Sequence, residues 1–462
     1  MLNTILAALS QFSPAILLIM AAGVFGGLVI GAIPGLTATM AVALLVPITF
    51  GMSADAALAL LVAVYVGGIS GGLVAATLLN IPGTPASVVT TFDAYPMASR
   101  GEAGRALAIG VFASFLGSLF SAVILAAAAP TLGALALHFS PYEYLALMVF
   151  ALTCVVAISG KELLKGLLAA CIGIFLSLVG MSVADGVERF TFGSEDLVAG
   201  FSLMPVLIGM FAISQIFDEV ESINQPFKLL RTTFTTREFM DVARSFRTSK
   251  KNVVRSSIIG TIIGILPGVG PNLAGILSYS QAKAADRDPD SFGKGNPDGI
   301  IASETANNAC TGGAMVPLLS LGIPGDATTM MMLGAFMIHG VDPGPLLFRD
   351  HPQLVVSVII AYFVATFFML LLQMVCIKGI IKSLLIPRYV LYPIIIAMCV
   401  IGCYALNSSM FDVWVFLAMG LLGYFLQRLS FPLLPVVLGL VLGQLIEFNL
   451  AGCWAQGDKS LW

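Results

Sequence analysis

Between Met1 and Phe92 the chain carries one charged side chain, Asp55. A water-soluble domain is not built that way, because it must cover its apolar core with polar and charged surface. The rest of the chain keeps the same balance: of 462 residues, 58% are apolar and 10% charged, against about 25% charged in soluble domains. Disorder is excluded too, since it requires low hydrophobicity and a large net charge. The charges argue against nucleic acid as a partner: 22 Lys and Arg face 25 acids, a net charge of −3, with no basic domain. What remains is a polytopic membrane protein in contact with lipid.

The first apolar run lacks a basic leader and continues into further apolar segments, so a cleaved signal is not expected there. Cys154, Cys171, Cys310, Cys376, Cys399, Cys403 and Cys453 sit mostly singly in apolar stretches without histidine companions. They read as small membrane hydrophobes, and no structural metal site is expected.

At roughly 20 residues per crossing, spans are expected near 14–33, 55–79, 105–129, 142–159, 162–183, 201–218, 300–322, 353–376, 389–406, 412–427 and 431–449. Several contain Pro-Gly, so the expected total is about eleven or twelve. Lipid offers an open backbone no hydrogen-bond partner, and short alternating strands are not seen, so the fold class is all-α. The expected organisation is a membrane repeat over 1–220, a basic cytoplasmic connector over 221–255 and a second repeat over 256–462.

Orientation follows from basic residues. Lys228, Arg231, Arg237, Arg244, Arg247, Lys250, Lys251 and Arg255 make the strongest positive-inside signal. Counting spans from there puts Arg100, Arg105, Lys161 and Lys165 inside, and Asp185, Glu188, Glu195 and Asp196 outside. From the other end, Lys378, Lys382 and Arg388 mark a cytoplasmic loop, and Arg349 with His351 falls outside.

The halves repeat. Gly31-Ala-Ile-Pro34-Gly35-Leu-Thr-Ala-Thr39 aligns with Gly264-Ile-Leu-Pro267-Gly268-Val-Gly-Pro-Asn272. Downstream, Gly71-Gly72 precedes Ile81-Pro82-Gly83 and Gly312-Gly313 precedes Ile323-Pro324-Gly325, one residue out of register. With Arg100 inside and Arg349 outside, the repeats run in opposite directions. Inverted repeats with broken helices belong to secondary transporters, which bind substrate near the membrane midplane.

Four Pro-Gly pairs, Pro34-Gly35, Pro82-Gly83, Pro267-Gly268 and Pro324-Gly325, lie in or beside apolar segments. Proline removes a donor and glycine tolerates positive φ, so each pair is expected to end one half-helix and begin another. Thr84 before Pro85, and Asp326 before Ala327-Thr328-Thr329, read as N-caps. Helix N-termini at membrane depth suit anions; kinks or surface loops are the plainer alternative. Gly23, Gly27, Gly31, Gly67, Gly68, Gly71 and Gly72 should allow close helix packing.

The most informative segment is Ser303-Glu304-Thr305-Ala-Asn307-Asn308, an acid and two amides opening an apolar stretch. Such groups need a cavity, an ion or each other; a helix cap, or pairing with Lys294, is the plainer reading of Glu304. Hydroxyl and amide oxygens with one carboxylate suit a hard cation. Asn80, Thr84, Ser87, Thr90 and Thr91 form the polar set of the first half. The expected substrate site is Asn80, Thr84, Ser87, Glu304, Asn307, Asn308, Asp326 and Thr328, with a sodium site near Thr39, Asn272, Thr305 and Asn308. No Lys or Arg lies between Arg255 and Lys283 or between Lys294 and Arg349. An anion there would rely on backbone dipoles and a co-bound cation, sodium rather than a proton, which favours symport.

Leu79-Asn80-Ile-Pro-Gly-Thr-Pro-Ala-Ser87, Phe92-Asp93-Ala-Tyr95-Pro96-Met97, Arg100-Gly-Glu102-Ala-Gly-Arg105-Ala-Leu107, Phe292-Gly-Lys294-Gly, Ala306-Asn307-Asn308-Ala309, Gly322-Ile-Pro-Gly325, Ile338-His339-Gly340 and Pro343-Gly-Pro-Leu-Leu-Phe348 span most of the chain. On these residues the chain resembles the large membrane subunit of the tripartite tricarboxylate transporter family. The resemblance implies a carrier of the bacterial inner membrane, driven by an ion gradient. It also implies a small membrane subunit and a periplasmic binding protein as partners, and small carboxylates, tricarboxylates among them, as substrates. Ser303-Glu304-Thr305 stands where Pro-Glu-Ala is common in that family, and Asp326 where a small or neutral residue is usual. Arg100–Arg105 reads as a rim or gate. Two other classes stay open: an intramembrane enzyme using Glu304, His339 or Ser70, the last inside Gly68-Ile-Ser70-Gly-Gly72, and a passive anion channel.

Overall fold

The computed structural model describes residues 2–158, 162–220, 229–230, 239, 241–242, 246 and 249–456. Most of the expected connector 221–255 lies outside the described residues, as do Lys161, Lys228, Arg231, Arg237, Arg244 and Arg247.

The first half runs through α1 (Leu2–Gln11), α2 (Pro14–Ala32), α3 (Ala38–Thr49), α4 (Ala54–Leu79), α5 (Thr91–Met97) and α6 (Ala103–Ala136). Then come α7 (Pro141–Ile158), α8 (Leu163–Ser177), the strands β1 (Gly180–Met181) and β2 (Glu188–Arg189), α9 (Leu203–Ile208) and α10 (Ser214–Val220). After the connector follow α11 (Lys250–Ile265), α12 (Gly270–Ala285), α13 (Pro297–Leu321), α14 (Ala327–Ile338) and α15 (Pro345–Asp350). The chain ends on α16 (Pro352–Ser383), α17 (Arg388–Asn407), α18 (Met410–Arg428) and α19 (Leu433–Gln456). The fold is all-α; among the described residues there is one small antiparallel hairpin, which pairs Gly180 with Arg189.

Among the described residues, eight helices are long and apolar enough to cross a membrane, fewer than the expected eleven or twelve. The difference has local causes. The expected span 162–183 is a helix of 15 residues that stops at Ser177, ahead of the hairpin. The expected span 142–159 is also one of the shorter apolar helices, Pro141–Ala157. Helix α13 has 25 residues, but its polar run makes it less apolar than a lipid-facing span, and it is buried almost end to end.

Packing divides the chain into two compact units, Met1–Gly133 with Glu219–Ile395, and Ala134–Asp218 with Ile396–Trp462. Each draws on both halves of the sequence, so this division is separate from the division by repeat. In the second unit α19 packs on α7 and α8, and Arg189 of the hairpin pairs with Glu447 at 2.7 Å.

The first unit contains every expected site residue. Its α2 packs on α4 and its α11 on α13, while α3 and α12 flank α4 and α13 respectively. Both α4 and α13 are apolar or small on most sides and buried along their lengths, as central helices must be. The two pairs touch in the same way. A Cβ at Gly31 would lie 2.1 Å from the Gly68 carbonyl oxygen, and one at Gly264 2.3 Å from that of Cys310. With little hydrophobic drive between helices in lipid, such close backbone contact is what joins them.

These contacts correct the sequence register. Gly71 faces the Leu28 carbonyl and Gly313 that of Thr261, while Gly72 and Ala314 each sit under the Pro-Gly glycine, Gly83 or Gly325. Gly71 therefore corresponds to Gly313, not to Gly312. The one-residue discrepancy disappears because alanine fits where the second glycine of the first pair stands.

Candidate functional site

All four Pro-Gly pairs fall between helices, as the sequence predicts. Pro34-Gly35 separates α2 from α3, and Pro267-Gly268 separates α11 from α12. Pro82-Gly83 follows α4, and Pro324-Gly325 joins α13 to α14. Gly35 and Gly268 take φ of 88° and 74°, which a Cβ would oppose. Helix α4 ends on Asn80 at φ 57° and α13 on Gly322 at φ 71°, both left-handed C-caps. Asn80 is exposed at that cap, apart from the buried polar set.

Each later break forms a tip. At the first, Thr84 leads into a three-residue turn, Pro85–Ser87, with a capping-box layout: Ser87 N–H donates to the Thr84 carbonyl at 3.0 Å and Thr84 N–H to Ser87 Oγ at 3.4 Å. At the second, Asp326 caps α14. Its Oδ1 accepts from Thr329 N–H at 2.7 Å, and its own N–H donates to Thr329 Oγ1 at 2.8 Å.

The tips are held crosswise. Tyr65 of α4 donates to Asp326 Oδ2 at 2.6 Å. Its counterpart in the corrected register is Asn307 of α13, which donates from Nδ2 to the Ala86 carbonyl in the first tip at 3.1 Å. Helix α3 meets α14, where Thr39 and Thr328 hydroxyls lie 2.9 Å apart, and α12 meets the first tip. Each half thus braces the other half's tip.

Glu304, Asn307, Asn308, Ser87 and Thr305 are fully buried, and Thr84, Asp326, Thr328 and Thr39 nearly so. Glu304 Oε1 accepts from Thr90 Oγ1 at 2.5 Å and its Oε2 from Ser114 Oγ at 3.0 Å. Asn308 Nδ2 donates to Asn307 Oδ1 at 2.7 Å and lies 3.4 Å from Glu304 Oε2. All the donors to Glu304 are neutral, and the plainer pairing with Lys294 is not made. Of the expected sodium set, Asn272 is exposed on α12 while Thr39, Thr305 and Asn308 are buried. The structure does not gather those four.

A second buried carboxylate, Asp93 of α5, explains two sequence motifs at once. Its Oδ1 accepts from the backbone N–H groups of Gly293, Gly295 and Asn296 at 2.9, 2.7 and 2.8 Å, and its Oδ2 from Tyr279 at 2.8 Å. Arg100 donates to the carbonyls of Lys294 and Gly295 at 2.6 and 3.3 Å. Gly293 and Gly295, at φ 82° and 95°, let the loop wrap the carboxylate. The expected rim residue Arg100 is therefore one jaw of a clamp on Phe292-Gly-Lys294-Gly.

The residues proposed for an enzyme have separate partners: His339 Nε2 meets Thr49 Oγ1 at 3.1 Å, and Ser70 accepts from Gln373 at 3.0 Å. Tyr65, Ser114 and Tyr362 are contributors that sequence reasoning missed. Ser114, Ser118 and Ser121 did carry a signal, a small polar stripe at helical spacing on α6. Tyr65 carried none beyond being a tyrosine in an apolar helix.

The model of the Tripartite tricarboxylate transporter TctA family matches residues 17–438. The chain belongs to that family. As a TctA-family member it is a multi-pass membrane subunit of a tripartite transporter, and the family is one of transporters rather than enzymes. A relative from Agrobacterium vitis, an uncharacterised 52.8 kDa protein in the TAR-I ttuC' 3' region, is 36% identical over 431 residues, covering 93% of this chain and 85% of the relative. An uncharacterised protein in the TAR-II ttuC' 3' region of the same organism is 37% identical over 204 residues, covering 44% of this chain and 84% of its own length. No solved structure matches.

Proposed function

We propose that this TctA-family chain is the transport subunit of an ion-coupled importer of small, tricarboxylate-like anions in the bacterial inner membrane. A periplasmic binding protein delivers the substrate, and a small membrane subunit completes the complex. The observation that carries the reading is the pair of half-helix tips, each braced by the opposite repeat through Tyr65–Asp326 and Asn307–Ala86. That arrangement supports inverted repeats that rock about a fixed midplane site. Thr84, Ser87, Asn307 and Thr328 are the neutral groups for the anion's oxygens. Asp326 has both oxygens engaged by Thr329 and Tyr65, and Asn80 is exposed, so these two hold the tips in shape. The stretches Arg255–Lys283 and Lys294–Arg349 carry no cationic side chain between their ends, so a co-transported cation offsets the substrate's charge.

The test is uptake of radiolabelled citrate by vesicles holding the membrane subunits, with the binding protein added. Asn307→Ala is expected to lower uptake about tenfold, the scale set by one lost hydrogen bond to a charged group. Unchanged uptake and unchanged ion dependence would remove this site.

A further inference from the structure

We infer that the seam between α6 and α13 holds the coupling cation, a monovalent hard ion such as sodium, between the Glu304 carboxylate and the side-chain oxygens of Ser118, Thr305 and Asn308. This rests on the ion-coupled reading above; it keeps Thr305 and Asn308 of the sodium set expected from sequence and replaces Thr39 and Asn272 with Glu304 and Ser118.

The seam is a ladder. On α6, Ser114, Gly117, Ser118 and Ser121 recur at helical spacing, and on α13 so do Glu304, Thr305, Asn308, Thr311 and Gly312. Ser114 bonds Glu304 at one end. At the other, Tyr362 of α16 bonds both Ser121 and Thr311. Between these ends the helices touch backbone to backbone, since a Cβ at Gly117 would lie 2.1 Å from the Thr305 carbonyl oxygen.

Three oxygens in this seam, Ser118 Oγ, Thr305 Oγ1 and Asn308 Oδ1, are buried without a hydrogen bond of normal geometry, although Ser118 also lies beside the Tyr362 hydroxyl. One such orphan costs about 1–3 kcal/mol. Three of them lie along the same seam as a buried carboxylate that has only neutral partners. Oxygen donors of this kind, one charged and the rest neutral, bind hard cations, and an uncompensated buried carboxylate calls for one. The set belongs to one repeat alone: the counterparts of Glu304, Thr305 and Asn308 are Val62, Ala63 and Val66.

The experiment titrates sodium chloride against choline chloride at constant ionic strength and reads the thermal stability of the purified chain. Sodium is expected to raise the unfolding temperature. Ser118→Ala and Thr305→Val should each raise its half-saturating concentration about tenfold or more, the scale on which metal sites respond to a lost partner. Thr305→Ser, which keeps the oxygen, should restore the wild-type value and so separate a lost ligand from damaged packing. Ser320→Ala, further along α13, should change nothing. If the wild type responds to sodium and neither Ser118→Ala nor Thr305→Val shifts the half-saturation, the ion sits elsewhere and this proposal falls while ion coupling stands. If acidification fully replaces sodium in driving citrate uptake, the seam holds a proton and the sodium assignment is overturned. If the wild-type complex accumulates citrate with no cation gradient, the ion-coupled reading itself fails.

Discussion

The two tips are built on one plan and finished with different chemistry. Both follow a central helix that ends in a left-handed cap, both place a Pro-Gly glycine against the carbonyl of Gly31 or Gly264, and both have a capping-box layout. The first is capped by Thr84, whose Oγ1 is buried and unbonded, and continues as a three-residue turn. The second is capped by Asp326 and continues as the 12-residue α14. A full helix has a positive end that a carboxylate stabilises, so the second tip carries its own counter-charge. The lesson is that the repeat fixed the backbone of both tips while side chains divided the labour. The first tip is finished by a neutral hydroxyl, and the second by a carboxylate at its helix end.

The largest effect should come from the shared backbone. Gly83→Val and Gly325→Val would each press a side chain against carbonyls about 2.3 and 2.4 Å away, and each is expected to cost about 3 kcal/mol or more. Loss of the monodisperse peak in size-exclusion chromatography would report it, and damage from only one of the two would show that the halves are not packed alike. Next, Asp326→Ala should lower stability by about 2 kcal/mol through the lost cap. Thr84→Ala should cost less than about 0.5 kcal/mol, because its hydroxyl has no partner to lose, yet reduce citrate uptake. Equal losses of stability would erase the contrast between the tips.

A smaller effect is expected across the halves. A double-mutant cycle with Tyr65→Phe and Asp326→Asn should give a coupling of about 1 kcal/mol in thermal unfolding, and simple additivity would mean the crosswise brace is not formed. The smallest is at the first tip's entry. Asn80→Gly supplies the same left-handed conformation, so stability should change by less than about 0.5 kcal/mol, with uptake within about twofold of wild type. A large fall in uptake would return Asn80 to the substrate site.

Much of this was legible in the chain. Pro34, Pro82, Pro267 and Pro324 lie at observed breaks because a missing donor acts within one turn, and Thr84 and Asp326 lie at observed caps for the same local reason. The site was only partly legible. Glu304, Asn307 and Asn308 stood out as polar groups in an apolar run, but their partners did not, and Asn272, which aligned with the buried Thr39, is exposed. The span count came out high because apolarity alone does not distinguish a crossing from the short helix α8.

The sequence by itself determined the membrane class, the repeat, the breaks and the caps, since each depends on a residue and its near neighbours. Only the tertiary structure decided which polar groups meet. Tyr65 reaches Asp326 across 261 positions, Asn307 reaches Ala86 across 221 and Ser114 reaches Glu304 across 190. Those pairings depend on the packing of separate helices at glycine contacts, and residue spacing along the chain carries no information about which seam a polar face will share.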